Sequence, residues 1–150
     1  MILYHIEKLK YKDIWPPEGT LYAEGRWNHM RQWVLYTSTS IALAKLEILA
    51  NVSTLPLRRV CMTIEVSGNS EILEIEHEDL PVDWMRKPYP ANLVSFTKFF
   101  LNSGCLLMKV PSAQSISEFN YLINVRHKQF HEQVKLVHVS AEPFDPRLKN

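Results

Sequence analysis

The chain has 150 residues, of which 46% are hydrophobic and 11% aromatic, a composition typical of globular proteins that excludes a disordered chain. Seventeen basic and 16 acidic residues leave a net charge of +1, which argues against direct binding of nucleic acid. The length fits a single domain over 1–150. The two cysteines, Cys61 and Cys105, form neither a disulfide framework nor a zinc motif and favour a reducing compartment.

The sequence also excludes several classes of protein by what it lacks. The N-terminus shows no basic segment followed by a long apolar run, and no stretch approaches 18 apolar residues. We therefore expect a cytoplasmic protein with no signal peptide and no membrane contact. The four glycines build neither a GxGxxG motif nor a Walker loop, and no GxSxG elbow of a serine hydrolase occurs.

The first half of the chain predicts four strands and one helix. Segments rich in β-forming residues predict strands over 2–9, 34–37, 57–66 and 71–75, and the charged, proline-containing residues 10–19 predict a loop. Residues Ser38 to Ser40 offer N-caps for a helix over Ile41–Asn51, which Pro56 prevents from continuing.

The second half predicts a loop, a helix and three more strands. The polar, proline-containing residues 76–90 predict irregular structure, and 91–101 predict a helix with a wide apolar face before Gly104. The other expected elements are strands over 106–110, 121–123 and 134–139, one helical turn over 126–130, and an extended tail over 144–147. The sum predicts an α+β fold with a mixed β-core of six or more strands and two main flanking helices.

Glu47 is the most informative residue of the predicted helix over 41–51, where Lys45 carries the only other charge. Its neighbours at three and four residues are mostly apolar, and burial of a carboxylate raises its pKa unless the group is paired. Such a carboxylate is a candidate functional group. The alternatives are a buried structural ion pair and a helix rotated so that Glu47 contacts water.

Two other local patterns are weaker. In Gly25-Arg26-Trp27-Asn28 an arginine suited to bidentate binding of phosphate or carboxylate follows a glycine that permits close approach of a ligand. The alternative is a surface turn whose tryptophan packs into the core. His127 and His131 have the spacing of a zinc pair on a helix, but the glutamate of HExxH is missing, which favours two partly exposed histidines and no metal site.

Five short motifs, taken together, occur in a specific order. They are Gly25-Arg26-Trp27-Asn28, Leu35-Tyr36-Thr37-Ser38, Ala42-Leu43-Ala44-Lys45-Leu46-Glu47, Pro111-Ser112-Ala113 and Asn120-Tyr121-Leu122-Ile123-Asn124. In these motifs the chain resembles the RES domain family, which is named for an arginine, a glutamate and a serine that align here with Arg26, Glu47 and Ser112. The C-terminal residues 144–148 also resemble the end of that family.

The resemblance implies the toxin of a bacterial type II toxin–antitoxin system with a fold like that of ADP-ribosyltransferases. Members degrade NAD as phosphorylases or glycohydrolases, so NAD is the expected substrate, inorganic phosphate or water the acceptor, and no prosthetic group is expected. The implied partner is an Xre-type antitoxin with a helix-turn-helix, in a complex that contains a toxin homo-oligomer.

The resemblance also assigns roles to five residues. Glu47 would stabilise the oxocarbenium-like transition state of nicotinamide loss, and Arg26 would neutralise a phosphate of NAD. Tyr36 would give the nicotinamide or its ribose a flat, hydrogen-bonding neighbour, and Ser112 would donate to a phosphate or sugar oxygen. Asn120 would hold the ligand or orient a loop. Two alternatives are an ADP-ribosyltransferase acting on a macromolecule and a catalytically silent module that only binds a partner.

Overall fold

Seven strands and four α-helices make up the computed structural model, which describes residues 1–150. The strands are β1 (Ile2–Lys8), β2 (Val34–Ser38), β3 (Arg59–Val66), β4 (Ile72–Glu74), β5 (Leu107–Pro111), β6 (Phe119–Asn124) and β7 (Val134–Ala141). The helices are α1 (Gly19–Tyr22), α2 (Ile41–Asn51), α3 (Val94–Ser103) and α4 (Phe130–Gln133). The predicted α+β class and its two main helices, α2 and α3, are confirmed.

The seven strands form one sheet in the order β4-β5-β6-β2-β1-β3-β7, antiparallel except between β4 and β5. β1 pairs with β3 along its whole length, but it pairs with β2 only between Tyr4 and Ser38. Beyond that pair, His5 Nδ1 donates a hydrogen bond to the Tyr36 carbonyl at 2.8 Å. The sheet is therefore nearly divided between β1 and β2.

Helix α2 lies over this division, on β1 and β2. It begins where the sequence predicts because the Ser40 hydroxyl caps it, accepting from the Leu43 amide at 3.0 Å. Ala44 packs into a cluster with Ile6 and Cys61. The capped start and the apolar contacts fix which face of the helix is turned towards the sheet.

Helix α3 packs on the half of the sheet that contains β5 and β6. Its Phe100 is fully buried in a cluster that includes Trp27 and Trp84. The predicted apolar face is too wide, since Phe99 is 65% exposed, and a 3-10 turn replaces the first three predicted helical residues. Gly104 ends the helix at φ 84°, in the left-handed region expected of such a glycine.

The predicted helical turn over 126–130 is wrong. Residues 125–129 form turns, and the only helical turn nearby is α4, so His127 and His131 do not share a helix. His127 is instead oriented by the Gly104 carbonyl, 2.8 Å from its Nε2.

No group of side chains has the composition of a metal site. None of the helices combines the length and apolar character that crossing a bilayer requires.

The predicted extended tail over 144–147 is also only partly correct. Phe144 is buried and joins the cluster under α2, and a 3-10 turn over Pro146–Leu148 follows it. Asp145 caps that turn by accepting from the Arg147 amide at 2.8 Å.

Candidate functional site

A cleft of about 1250 Å³ opens where β1 and β2 separate. Its walls come from these two strands, α2, residues 24–29, residues 87–91 and the residues that follow β5. Four of the five predicted site residues line it: Arg26, Tyr36, Glu47 and Asn120. The cleft is large for a ligand pocket, which suits an extended ligand.

Glu47 faces the cleft from α2 and is held by two neutral donors. Its Oε1 accepts from the Ser112 hydroxyl at 2.6 Å and from the Asn120 amide Nδ2 at 2.7 Å. No Lys, Arg or His nitrogen lies within 4.0 Å of the carboxylate, so the structural ion pair proposed as an alternative does not form. Lys45 instead pairs with Glu142 at 2.6 Å.

The two donors to Glu47 are themselves fixed by further hydrogen bonds. Asn120 Oδ1 accepts from the Ser38 hydroxyl at 2.7 Å, and the Ser112 hydroxyl accepts from the amides of Gln114 and Ser115 at 3.0 and 3.1 Å. Strands β2 and β6 and the residues that follow β5 therefore all contribute to the orientation of one carboxylate.

Ser112 is the one predicted site residue that does not line the cleft. The side chain is fully buried and does not line the cleft, and its hydroxyl proton is donated to Glu47. In this structure Ser112 orients the carboxylate, and donation to a phosphate or sugar oxygen, which the resemblance implied, stays a prediction.

Arg26 lines the cleft from residues 24–29 and lies among aromatic rings and carbonyls. Its Nη1 donates to the Trp84 carbonyl at 2.5 Å and to the Arg86 carbonyl at 3.3 Å, and its Cζ lies 4.7 Å from the Tyr89 ring centroid. Burial lowers the pKa of Arg26, while the Tyr89 hydroxyl and the Glu47 carboxylate act in the opposite direction. No carboxylate neutralises it within 4.0 Å.

Tyr36 contributes its ring to the cleft, but its hydroxyl is engaged within the protein. It donates to Asn28 Oδ1 at 2.7 Å and accepts from the Trp27 amide at 3.2 Å. Burial raises the pKa of this phenol well above its ordinary value. A Cβ on Gly25 would stand 3.0 Å from both the Tyr36 hydroxyl and Asn28 Oδ1, which explains why glycine precedes Arg26.

Sequence reasoning missed the residues of the loop that follows β4. Trp84, Lys87 and Tyr89 fall in the segment predicted only as irregular, yet Trp84 and Tyr89 contact Arg26, and Lys87 and Tyr89 line the cleft. The tryptophan and tyrosine among prolines were the available signal, because aromatic residues in a polar loop need a surface to pack on.

Comparison with known proteins identifies the family to which the chain belongs. The model of the RES domain matches residues 2–146. Toxin Res of Yersinia enterocolitica is 34% identical over 99% of this chain and 100% of its own length, and the Prs ADP-ribosylating toxin of Sphingobium sp. is 31% identical over 87% and 83%. The crystal structure of the M. tuberculosis MbcT–MbcA toxin–antitoxin complex contains a similar fold, with a TM-score of 0.74 at 16% identity over 98% of this chain and 85% of the other. This chain belongs to the RES domain family.

Proposed function

We propose that this protein is the toxin of a toxin–antitoxin system and that it cleaves the nicotinamide–ribose bond of NAD. The observation that carries the proposal is the Glu47 carboxylate, which two fixed donors hold on the wall of a large cleft. The relative named Toxin Res, similar over its whole length, supports the toxin assignment.

The chemistry requires a negative charge beside the ribose. As the glycosidic C–N bond breaks, its electron pair leaves with nicotinamide and the ribose carbon becomes cationic, as in glycoside hydrolysis. Glu47 stabilises that cation, and an oxygen of water or inorganic phosphate then bonds to the same carbon. When water is the acceptor, its proton passes to solvent. The Ser112 and Asn120 donors keep the carboxylate oriented throughout, so no reorganisation is needed in the transition state.

Chromatography of the products of NAD tests this proposal directly. We expect purified protein, free of its partner, to release nicotinamide, with ADP-ribose as the second product when water is the acceptor and a phosphorylated ADP-ribose when phosphate is the acceptor. Reactions with and without phosphate distinguish a phosphorylase from a glycohydrolase. Intact NAD after prolonged incubation would contradict the proposal and favour a silent binding module.

A second candidate is ADP-ribosyl transfer to a macromolecule. It is favoured by the relative named an ADP-ribosylating toxin, which is 31% identical over most of both chains. The same cleft and carboxylate would serve, with a nucleophile of the target in place of water. Mass spectrometry of proteins and nucleic acids from expressing cells separates the two, because only transfer leaves ADP-ribose on a macromolecule.

Arg26→Lys is expected to raise the KM for NAD by about tenfold with little change in kcat. Lysine keeps the charge but loses the planar fork that can contact two phosphate oxygens, and phosphate contacts hold ground and transition states alike. Steady-state kinetics of nicotinamide release measures both constants. An unchanged KM would exclude Arg26 from phosphate binding.

A partner that silences the enzyme is expected to cover the cleft. The structural neighbour comes from a toxin–antitoxin complex, which supports an antitoxin here, and we propose that it is of the Xre type and that the complex contains a toxin homo-oligomer. Blocking the entrance is the direct way to stop NAD consumption. We expect the purified complex to release nicotinamide at least about 100-fold more slowly than the free toxin, a difference of about 2.7 kcal/mol. Equal rates would contradict occlusion.

A further inference from the structure

Residues 87–90, here called the strap, line the cleft and are hydrogen-bonded to the end of α2. Asn51 makes these hydrogen bonds. Its Oδ1 accepts from the Tyr89 hydroxyl at 2.6 Å and from Lys87 Nζ at 3.2 Å. Its Nδ2 donates to the Glu47 carbonyl at 2.9 Å, one turn earlier. The strap is thereby held at a fixed position relative to the proposed catalytic carboxylate.

Lys87 and Arg26 lie against the same aromatic ring. Lys87 Nζ is 5.6 Å from the Tyr89 ring centroid, and Arg26 Cζ is 4.7 Å from it. Both side chains line the cleft, Arg26 half-buried and Lys87 exposed at the rim. Two basic side chains therefore contact one ring in the lining of the cleft.

Neither cation has an acidic partner. No carboxylate oxygen lies within 4.0 Å of Lys87 or Arg26, and their acceptors are the neutral oxygens of Asn51 and of the Trp84 and Arg86 carbonyls. Two neighbouring like charges repel, and a bound anion removes that repulsion. An ammonium carries three donors, so Lys87 keeps two for a ligand while Asn51 holds the third.

We propose that Lys87 is a second phosphate-binding residue, which acts with Arg26 on a phosphate group at the rim of the cleft. The inference rests on the proposed function for the source of that group: either the diphosphate of NAD or the inorganic phosphate that accepts the ribosyl group. Asn51 acts as a positioning residue, because it sets where the ammonium stands.

The test compares wild type, Lys87→Gln and Lys87→Arg with the control Lys128→Gln, an exposed lysine outside the cleft. Nicotinamide release is measured while NAD and inorganic phosphate are varied in turn. We expect Lys87→Gln to raise one KM by about tenfold, the size of one charged hydrogen bond, with kcat within about twofold. Lys87→Arg keeps the charge and should recover most of the loss.

The constant that changes identifies the source of the phosphate. A raised KM for NAD assigns Lys87 to the diphosphate, and a raised KM for inorganic phosphate assigns it to the acceptor. If Lys87→Gln matches the Lys128→Gln control in both constants, the inference is overturned.

A binding measurement keeps this result separate from the proposed function. Calorimetric titration with inorganic pyrophosphate and with inorganic phosphate needs no turnover. If wild type releases no nicotinamide, the proposed function fails, yet about tenfold weaker binding of either anion by Lys87→Gln still supports the phosphate site. Unchanged affinity for both anions in that case overturns it.

Discussion

Glu47→Gln is expected to lower kcat for nicotinamide release by about 10²–10³-fold while the fold stays intact. The glutamine carbonyl oxygen can occupy the place of Oε1 and accept from Ser112 and Asn120 as the carboxylate does. What the variant loses is the negative charge beside a ribose that becomes cationic only in the transition state. The loss should therefore appear in kcat and leave the KM for NAD nearly unchanged.

Turnover and melting temperature measured on the same preparation decide the role of Glu47. The matched control is Glu65→Gln, since Glu65 is exposed on β3, outside the cleft. We expect both variants to melt within a few degrees of wild type, and only Glu47→Gln to lose activity. Preserved turnover combined with lowered stability would contradict a catalytic role and indicate a structural one.

Trp84→Ala is expected to destabilise the protein by about 3–5 kcal/mol. The side chain is only 4% exposed, and its ring lies 6.1 Å from that of Trp27 in the cluster beneath α3. Truncation leaves a cavity that the neighbouring rings cannot fill. For a chain of this size the melting temperature should fall by on the order of 10 °C, which thermal unfolding followed by circular dichroism measures.

The same substitution should also affect the site. The Trp84 carbonyl accepts from Arg26, and the indole lies 5.8 Å from the guanidinium, so a loosened loop releases Arg26 from its fixed position. We expect a raised KM for NAD in the fraction that remains folded. Trp84→Phe, which keeps a ring in the cluster, serves as control and should lose less on both measures. Unchanged melting of Trp84→Ala would contradict this account.

Local signals explain which elements could be predicted. Helix α2 has the predicted bounds because its start depends on one capping serine, Ser40, and on the four residues that follow. The predicted helical turn over 126–130 does not form because polar side chains there and just before it bond to other backbone groups. His127 contacts the Gly104 carbonyl, and Asn124 Oδ1 at the end of β6 accepts from the Arg126 amide. Such contacts leave no periodicity in the sequence.

The candidate site likewise contains residues that local sequence signals predict and contacts that they do not. The anomaly of a carboxylate among apolar neighbours pointed to Glu47, but its partners are 65 and 73 residues further along the chain. The resemblance pointed to Ser112 and Asn120 and implied contacts with the ligand, but only the folded geometry shows that both donate to Glu47. The sequence did not predict a role for the strap over 87–90, because its partners, Arg26 and Asn51, are far away in sequence.

The wide sequence separation of the groups around Glu47 has a consequence for biosynthesis. The N-terminal residues leave the ribosome first, and a domain generally folds as a unit. The carboxylate on α2 is synthesised early, but its two donors are both present only after residue 120 has been made, and β3 gains its outer neighbour, β7, later still. A chain that ends before residue 112 therefore lacks both donors to Glu47, so the carboxylate acquires its fixed orientation only when synthesis is nearly complete.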